Sequence, residues 1–338
     1  MTTDTSLKDA IDQQTHRGFL PWLISRQIFW ILLAVVIAII AMMLLTKTFA
    51  TPQNLFNVTR NFAFVGIVGL GMTAVIITGG IDLSVGATVL ISAMVTTLIM
   101  HAGLPITLAL PAAIAASLLV GLINGVLIAV AGMPAFVVTL GMMSIARSIG
   151  MVMSNNALIY EFGPDQPILF AIGGGSVTLG GLPIPNPLIV MVILALITGF
   201  ALRWTRWGRH LYAIGGNEKA AVLTGVPVKA VKVSVYMFVA FCAGITGFLE
   251  TGWLGSVTTG LGTGLELTVI AAAVIGGANL AGGSGTALGA VVGAALIEII
   301  RNSLTLLGIS TFWQGTFVGA FIVLAVAFDR LRNKEIGE

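Results

Sequence analysis

Residues 28–46 hold no charged side chain, and apolar runs with few or no charges recur along almost the whole chain. A helix needs about 20 such residues to cross the hydrocarbon core of a bilayer. The runs fall at roughly 28–46, 61–78, 84–102, 105–131, 135–153, 187–203, 233–254, 266–278, 286–307 and 312–328. Only 9% of the residues are charged and 57% are apolar, whereas a soluble domain carries about 25% charged residues. A mean hydropathy of +1.05 leaves too little polar surface for a 35.0 kDa globule in water. The low charge excludes intrinsic disorder. The single cysteine, Cys242, excludes a disulfide scaffold. Long unbroken runs in place of short alternating segments exclude a β-barrel. The expected fold is all-α: a polytopic membrane protein of about ten transmembrane helices, some broken or re-entrant. One transmembrane domain over 28–328 lies between an N-terminal tail, 1–27, and a C-terminal tail, 329–338.

Basic residues set the orientation. Lys8, Arg17 and Arg26 lie in the first tail, and Arg330, Arg332 and Lys334 in the last. Arg203, Arg206, Arg209, Lys219, Lys229 and Lys232 lie in the segment between the sixth and seventh runs. Twelve of the 16 basic residues thus fall in three segments that ten spans put on one side. The positive-inside rule makes that side the cytoplasm. Both termini are therefore expected in the cytoplasm, and the long loop 154–186, with Glu161 and Asp165 but no Lys or Arg, outside. Lys47 and Arg60 are exceptions, placed by these bounds in the first outer loop. The net charge of +3 is read as orientation and contact with the lipid bilayer, not as nucleic-acid binding.

The signals of covalent chemistry are absent. There is no G-x-x-x-x-G-K-[ST] phosphate loop. The three histidines are scattered, and no Cys/His cluster has metal-ligand spacing. No catalytic residue, cofactor or metal is expected in this chain. What remains is charge within the apolar runs, which is costly in lipid and often functional. Asp82 sits in GGIDLSVG (79–86), which shares the form GG-x-[Asp/Asn]-L-x-x-G with GGANLAGG (276–283), home of Asn279. Paired glycine-interrupted segments of this kind mark the pathway in many transporters, although chance similarity in a chain with 42 glycines is the rival reading. Glu298, Arg301 and Asn302 fall on one face of the ninth run. Asp82 can cap a helix start, and Glu298 can pair with Arg301. The functional reading makes Asp82, Asn279, Glu298, Arg301 and Asn302 polar positions along a translocation pathway. Gly121 and Gly125, and Gly285, Gly289 and Gly293, read as close helix packing. Trp204, Trp207, Trp253 and Trp313 read as interfacial anchors.

The segment 204–232 is the most informative. Asn217 is a good N-cap, Glu218 suits the first turn, Ala220, Ala221 and Leu223 continue a helix, and Gly225 closes it. The result is a helix of about seven residues, roughly 10 Å long. It reads either as a solvated connector or as a rigid docking knob for a cytoplasmic partner.

Three blocks carry a family resemblance: GMTAVIITGGIDLSVGA (71–87), GRHLYAIGGNEKAAVLTGV (208–226) and ELTVIAAAVIGGANLAGGSGTALGA (266–290), the last continuing into NSLTLLGIS and FWQ. FVVTLGMMSIARSIG (136–150) adds to them. Together they resemble the permease subunits of ribose/xylose/galactose-type ABC importers, in the branched-chain amino acid/sugar permease superfamily. The resemblance covers roughly 50–330. It implies a bacterial inner-membrane protein importing a sugar or related carbohydrate by alternating access. It also implies a second permease subunit in a homodimer, a cytoplasmic ATP-binding subunit that hydrolyses ATP, and a periplasmic or extracellular sugar-binding protein. On the matching motif, Asn217, Glu218, Ala220, Ala221 and Gly225 would couple to the ATPase. Asn302-Ser303 departs from the Asn-Gly often found in the ribose-type pattern. Two alternatives stay open: a permease of the same superfamily for another small solute, such as a branched-chain amino acid or nucleoside, and an ion-coupled secondary transporter.

Overall fold

A computed structural model describes residues 27–310, 312–317 and 319–320. Both expected tails, apart from residue 27, and most of the tenth run lie outside the described residues. Among those described, seven helices are long and apolar enough to cross a membrane. They are α1 (Gln27–Leu45), α2 (Pro52–Ile77), α4 (Ile106–Ala129), α5 (Ala135–Met153), α7 (Asn186–Trp204), α10 (Val228–Leu254) and α12 (Ala287–Leu306). Two shorter apolar helices, α3 (Val85–His101) and α11 (Leu265–Ile275), match two more expected runs. The polytopic all-α expectation therefore holds. The outer loop adds α6 (Gln166–Gly173) and a hairpin of β1 (Ser176–Leu179) and β2 (Leu182–Pro185), which the sequence reading did not foresee. The polar segment after α7 forms α8 (Arg206–Gly216) and α9 (Glu218–Leu223).

The helices alternate between two ends. Ile28 at the start of α1 and Arg203 at the end of α7 line one cavity at the basic end. At the other end, His101 Nδ1 meets the Glu161 carbonyl at 3.0 Å, and Asp165 accepts from the Ile106 N–H at 2.9 Å. The long loop and the segment 204–232 therefore lie at opposite ends.

α2 is the axis of the bundle: 83% of its most apolar stretch is buried, against 11% for α1. α10, α12, α7 and α11 pack around it. It begins nine residues before the expected run. Thr51 accepts from the Asn54 N–H, and Pro52 occupies the first turn, where its missing N–H costs nothing. Arg60 is thus not in a loop. Its guanidinium lies 4.1 Å from the centre of the Trp253 ring, and Trp253 also packs on Phe64. Trp253 is thus packed into the bundle at one face. Trp207 is half-buried, and its ring N–H donates to Ser234 Oγ at 2.9 Å. Trp204 and Trp313 are exposed, as anchors should be.

Helix contacts are made over glycine. A Cβ on Gly125 would lie 2.8 Å from Val233 Cα, and one on Gly71 would lie 2.6 Å from Val239 Cα, so α4 and α2 touch the backbone of α10. Gly289 and Gly293 likewise meet the backbone of Gly276 and Ala272 on α11. Small residues of this sort replace the hydrophobic effect as the source of association in lipid. Gly125→Val should therefore force α4 from α10, lowering stability by about 1–3 kcal/mol. Gly69, with nothing near its missing side chain, should gain about 0.5–1 kcal/mol on change to Ala. Thermal melts of the two purified variants in detergent check both signs.

Candidate functional site

The short helix α9 is built as its residues require. Asn217 Oδ1 accepts from the Ala220 N–H at 3.0 Å. At the other end the Val226 N–H reaches the Ala221 carbonyl at 3.0 Å and the Gly225 N–H reaches that of Val222 at 3.1 Å. Gly225 has φ +82°, the left-handed closure only glycine enters freely. Glu218 forms a 2.7 Å ion pair with Lys232 of α10, which fixes the helix against the bundle. One expectation is corrected here. Ala221 does not face outward; it is 3% exposed and packs into the main core. A six-residue helix has room for one inward face, and Ala221 takes it. The outward apolar side chains are Val222 and Leu223, the latter 87% exposed. Asn217, Glu218, Ala220 and Gly225 remain exposed.

The C-terminal end of α8 bears on both glycine motifs. Gly215 packs against the Ile77 carbonyl and against Gly283, with no room for a Cβ. The Gly283 N–H donates to the Ile77 carbonyl at 2.9 Å, joining the two breaks directly. Tyr212 Oη donates to the Gly285 carbonyl at 2.8 Å. Burial pushes the Tyr212 phenol above its ordinary pKa, so it stays a donor. The breaks share a local device as well as a place. Asp82 Oδ1 accepts from the Ser84 N–H at 2.8 Å, and Asn279 Oδ1 from the Ala281 N–H at 2.9 Å. Each closes a turn on the residue two ahead. Asn279 is exposed, whereas Asp82 is buried.

Around Asp82 lies a network that the sequence reading missed. Ser84 Oγ donates to Asp82 at 2.6 Å and accepts from Asn124 Nδ2 at 2.9 Å. Tyr236 Oη, one turn along α10 from Lys232, donates to the Ile81 carbonyl at 3.4 Å. The Thr139 hydroxyl reaches the same carbonyl at 3.5 Å. Asn124 was hidden in the Gly121–Gly125 pattern; its being the sole amide in that run was the available signal.

The remaining polar residues of the spans sit toward the other end. Asn54 and Asn302 exchange amide hydrogen bonds at 3.1 and 2.8 Å. Glu298 is 7% exposed. It makes no ion pair with Arg301: among the described residues the only one is Glu218–Lys232. Sharing a helix face does not bring the two head groups within ion-pair distance. Arg147 donates to the Thr259 and Leu261 carbonyls at 3.1 and 2.6 Å, holding the segment between α10 and α11.

Two outcomes are expected. Ser84→Ala leaves the buried Asn124 amide without its acceptor and removes one of the two donors on Asp82 Oδ1, and should cost about 1–3 kcal/mol. Thr97→Val, which removes a hydroxyl bonded only to its own helix at the Ala93 carbonyl, should cost less. Unfolding in denaturing detergent compares them. Glu298→Gln and Arg301→Gln should couple only weakly, by about 0.5–1 kcal/mol in a double-variant cycle, as near neighbours that form no ion pair.

The family described as "Branched-chain amino acid transport system / permease component" matches residues 54–326. The ribose import permease protein RbsC of Escherichia coli is 37% identical over 312 residues, covering 92% of this chain and 95% of that protein. The D-allose transport system permease protein AlsC of Escherichia coli is 36% identical, covering 90% and 91%. The L-arabinose ABC transporter permease protein AraH of Azospirillum brasilense is 31% identical, covering 98% and 96%. No solved structure matches. A bundle with a central buried helix, two joined glycine breaks and a capped helix at its basic end, matched over these residues, belongs to the branched-chain amino acid transport system permease family.

Proposed function

We propose that the chain is the membrane permease of an ATP-driven importer for a sugar. Relatives named for ribose, allose and arabinose, each matched over about nine-tenths or more of both chains, support that substrate class. Relatives named as ABC transporter permeases support a separate ATP-binding subunit at the basic, cytoplasmic end as the source of energy. A second copy of the permease and an external sugar-binding protein complete the assembly. Both tails lie on the cytoplasmic side in the bacterial inner membrane.

The observation that carries the coupling reading is the seat of α8 and α9. Leu223 stands 87% exposed on a helix that is capped at both ends and ion-paired to α10. A push on α9 has two routes inward. One runs through Glu218 and Lys232 to Tyr236 and the Ile81 carbonyl beside Asp82. The other runs through Gly215 to the Ile77–Gly283 junction. The short helices and breaks move as units because their ends are satisfied. The outer polar groups, among them Arg301, Asn302 and Glu298, line the route that opens and closes.

Leu223→Asp should leave the chain folded, because the side chain touches little of its own bundle. It should cut co-purification of the ATPase subunit and abolish most uptake at matched membrane levels. Ala221→Trp should instead lower folded yield, as bulk in a filled core does. Normal uptake by Leu223→Asp would remove α9 as the docking element. Uptake by the purified chain alone in liposomes, without ATP, would favour the ion-coupled alternative. Orientation has its own check: Cys242 is buried, so a new thiol is the only reactive one. An impermeant reagent should label Glu161→Cys in intact cells and not Lys219→Cys.

A further inference from the structure

We propose that a cavity at the basic end, between α1, α7 and the junction of α11 with α12, binds an anionic phospholipid. The cavity has a volume of about 680 Å³, within the range of roughly 300–1,000 Å³ usual for ligand sites. Its walls are apolar, from Ile28, Leu202, Ala287 and Leu288, and its rim carries Arg203 and Arg209. Among the described residues no acidic side chain lines it.

Among the described residues neither arginine is matched by a carboxylate. Arg203 lies over the Trp204 ring at 5.4 Å, and Arg209 donates to the Trp204 carbonyl at 3.3 Å. No ion pair within the described residues involves them. Two cations beside an interfacial tryptophan, above a greasy slot, match a phosphate headgroup with its acyl chain below. Elsewhere on α7 Leu196, Ile197 and Phe200 are exposed, as apolar side chains in contact with lipid would be. A soluble anion would gain the arginines but leave the slot empty. A zwitterionic lipid would fill the slot but bring its own cation against the arginines.

The site also touches moving parts. Gly276 and Gly277 form part of the wall, and so does Tyr212, which holds the Gly285 carbonyl. A lipid seated there wedges the α11–α12 break against α8 and stiffens the junction that the coupling segment pushes on. Lipid retention is measured without transport, so failure of one reading leaves the other standing.

The test is thermal unfolding of the purified, delipidated full chain in mild detergent, with three probes titrated separately: short-chain phosphatidylglycerol, short-chain phosphatidylcholine and glycerol 3-phosphate. Phosphatidylglycerol should raise the midpoint, and the other two should not. The double variant Arg203→Gln/Arg209→Gln should need about thirty-fold more phosphatidylglycerol for the same shift, the loss of two interfacial cation contacts. Arg206→Gln, a neighbouring exposed arginine outside the cavity, should respond as the native chain does. Leu288→Trp, which fills the slot and leaves both arginines in place, should also lose the response. Equal stabilisation by phosphatidylcholine, or stabilisation by glycerol 3-phosphate alone, overturns the proposal. So does a full response in the double variant or in Leu288→Trp.

Discussion

Inside a bilayer no water stands ready to take a broken backbone hydrogen bond, and each unsatisfied group costs several kcal/mol. This chain breaks its helices twice all the same, after Ile77 and after Ile275. It satisfies one break with the other: the Gly283 N–H goes to the Ile77 carbonyl. The Asp82 and Asn279 carboxyl and amide oxygens then absorb N–H groups at the turns. Everything at the basic end is arranged around that junction, including Gly215, which must be glycine to fit against it. The 11-residue α11 can move at such a break without tearing a long helix.

The same constraint explains the distribution of glycine. With lipid on one side and protein on the other, apolar side chains gain little by changing neighbours. Backbones that approach within contact gain dispersion over their whole length. α10 is gripped in this way by α4 over Gly125 and by α2 over Gly71, which makes it a stiff rod. Lys232 and Tyr236 stand one turn apart on that rod, so the distance between α9 and the Asp82 break cannot easily vary.

A central helix with polar residues is the second consequence. α2 carries Asn54, Arg60 and Asn61 in its outer half, yet it is the most enclosed of the spans. Two of these side chains find a protein partner: Asn54 in Asn302 and Arg60 in the ring of Trp253. Hydropathy alone placed the start of this helix nine residues late, because it counted those groups as facing water. Their tertiary partners reverse that reading.

Much was legible without coordinates. The apolar runs gave the class and the rough places of the described spans, because length and hydrophobicity suffice to place a helix in lipid. Asn217, Glu218 and Gly225 gave α9 nearly to the residue, because capping is a local matter of side-chain oxygens and a left-handed glycine. Charge counting gave two ends, and the chain folds with 204–232 and 154–186 on opposite ones. The facing of Ala221, the shelter of Arg60 and Trp253, and the Ser84–Asn124–Tyr236 network were decided only in three dimensions. Each depends on which helix lies alongside. In a membrane that choice rests on backbone proximity and a few hydrogen bonds, which leave no periodic trace in the sequence.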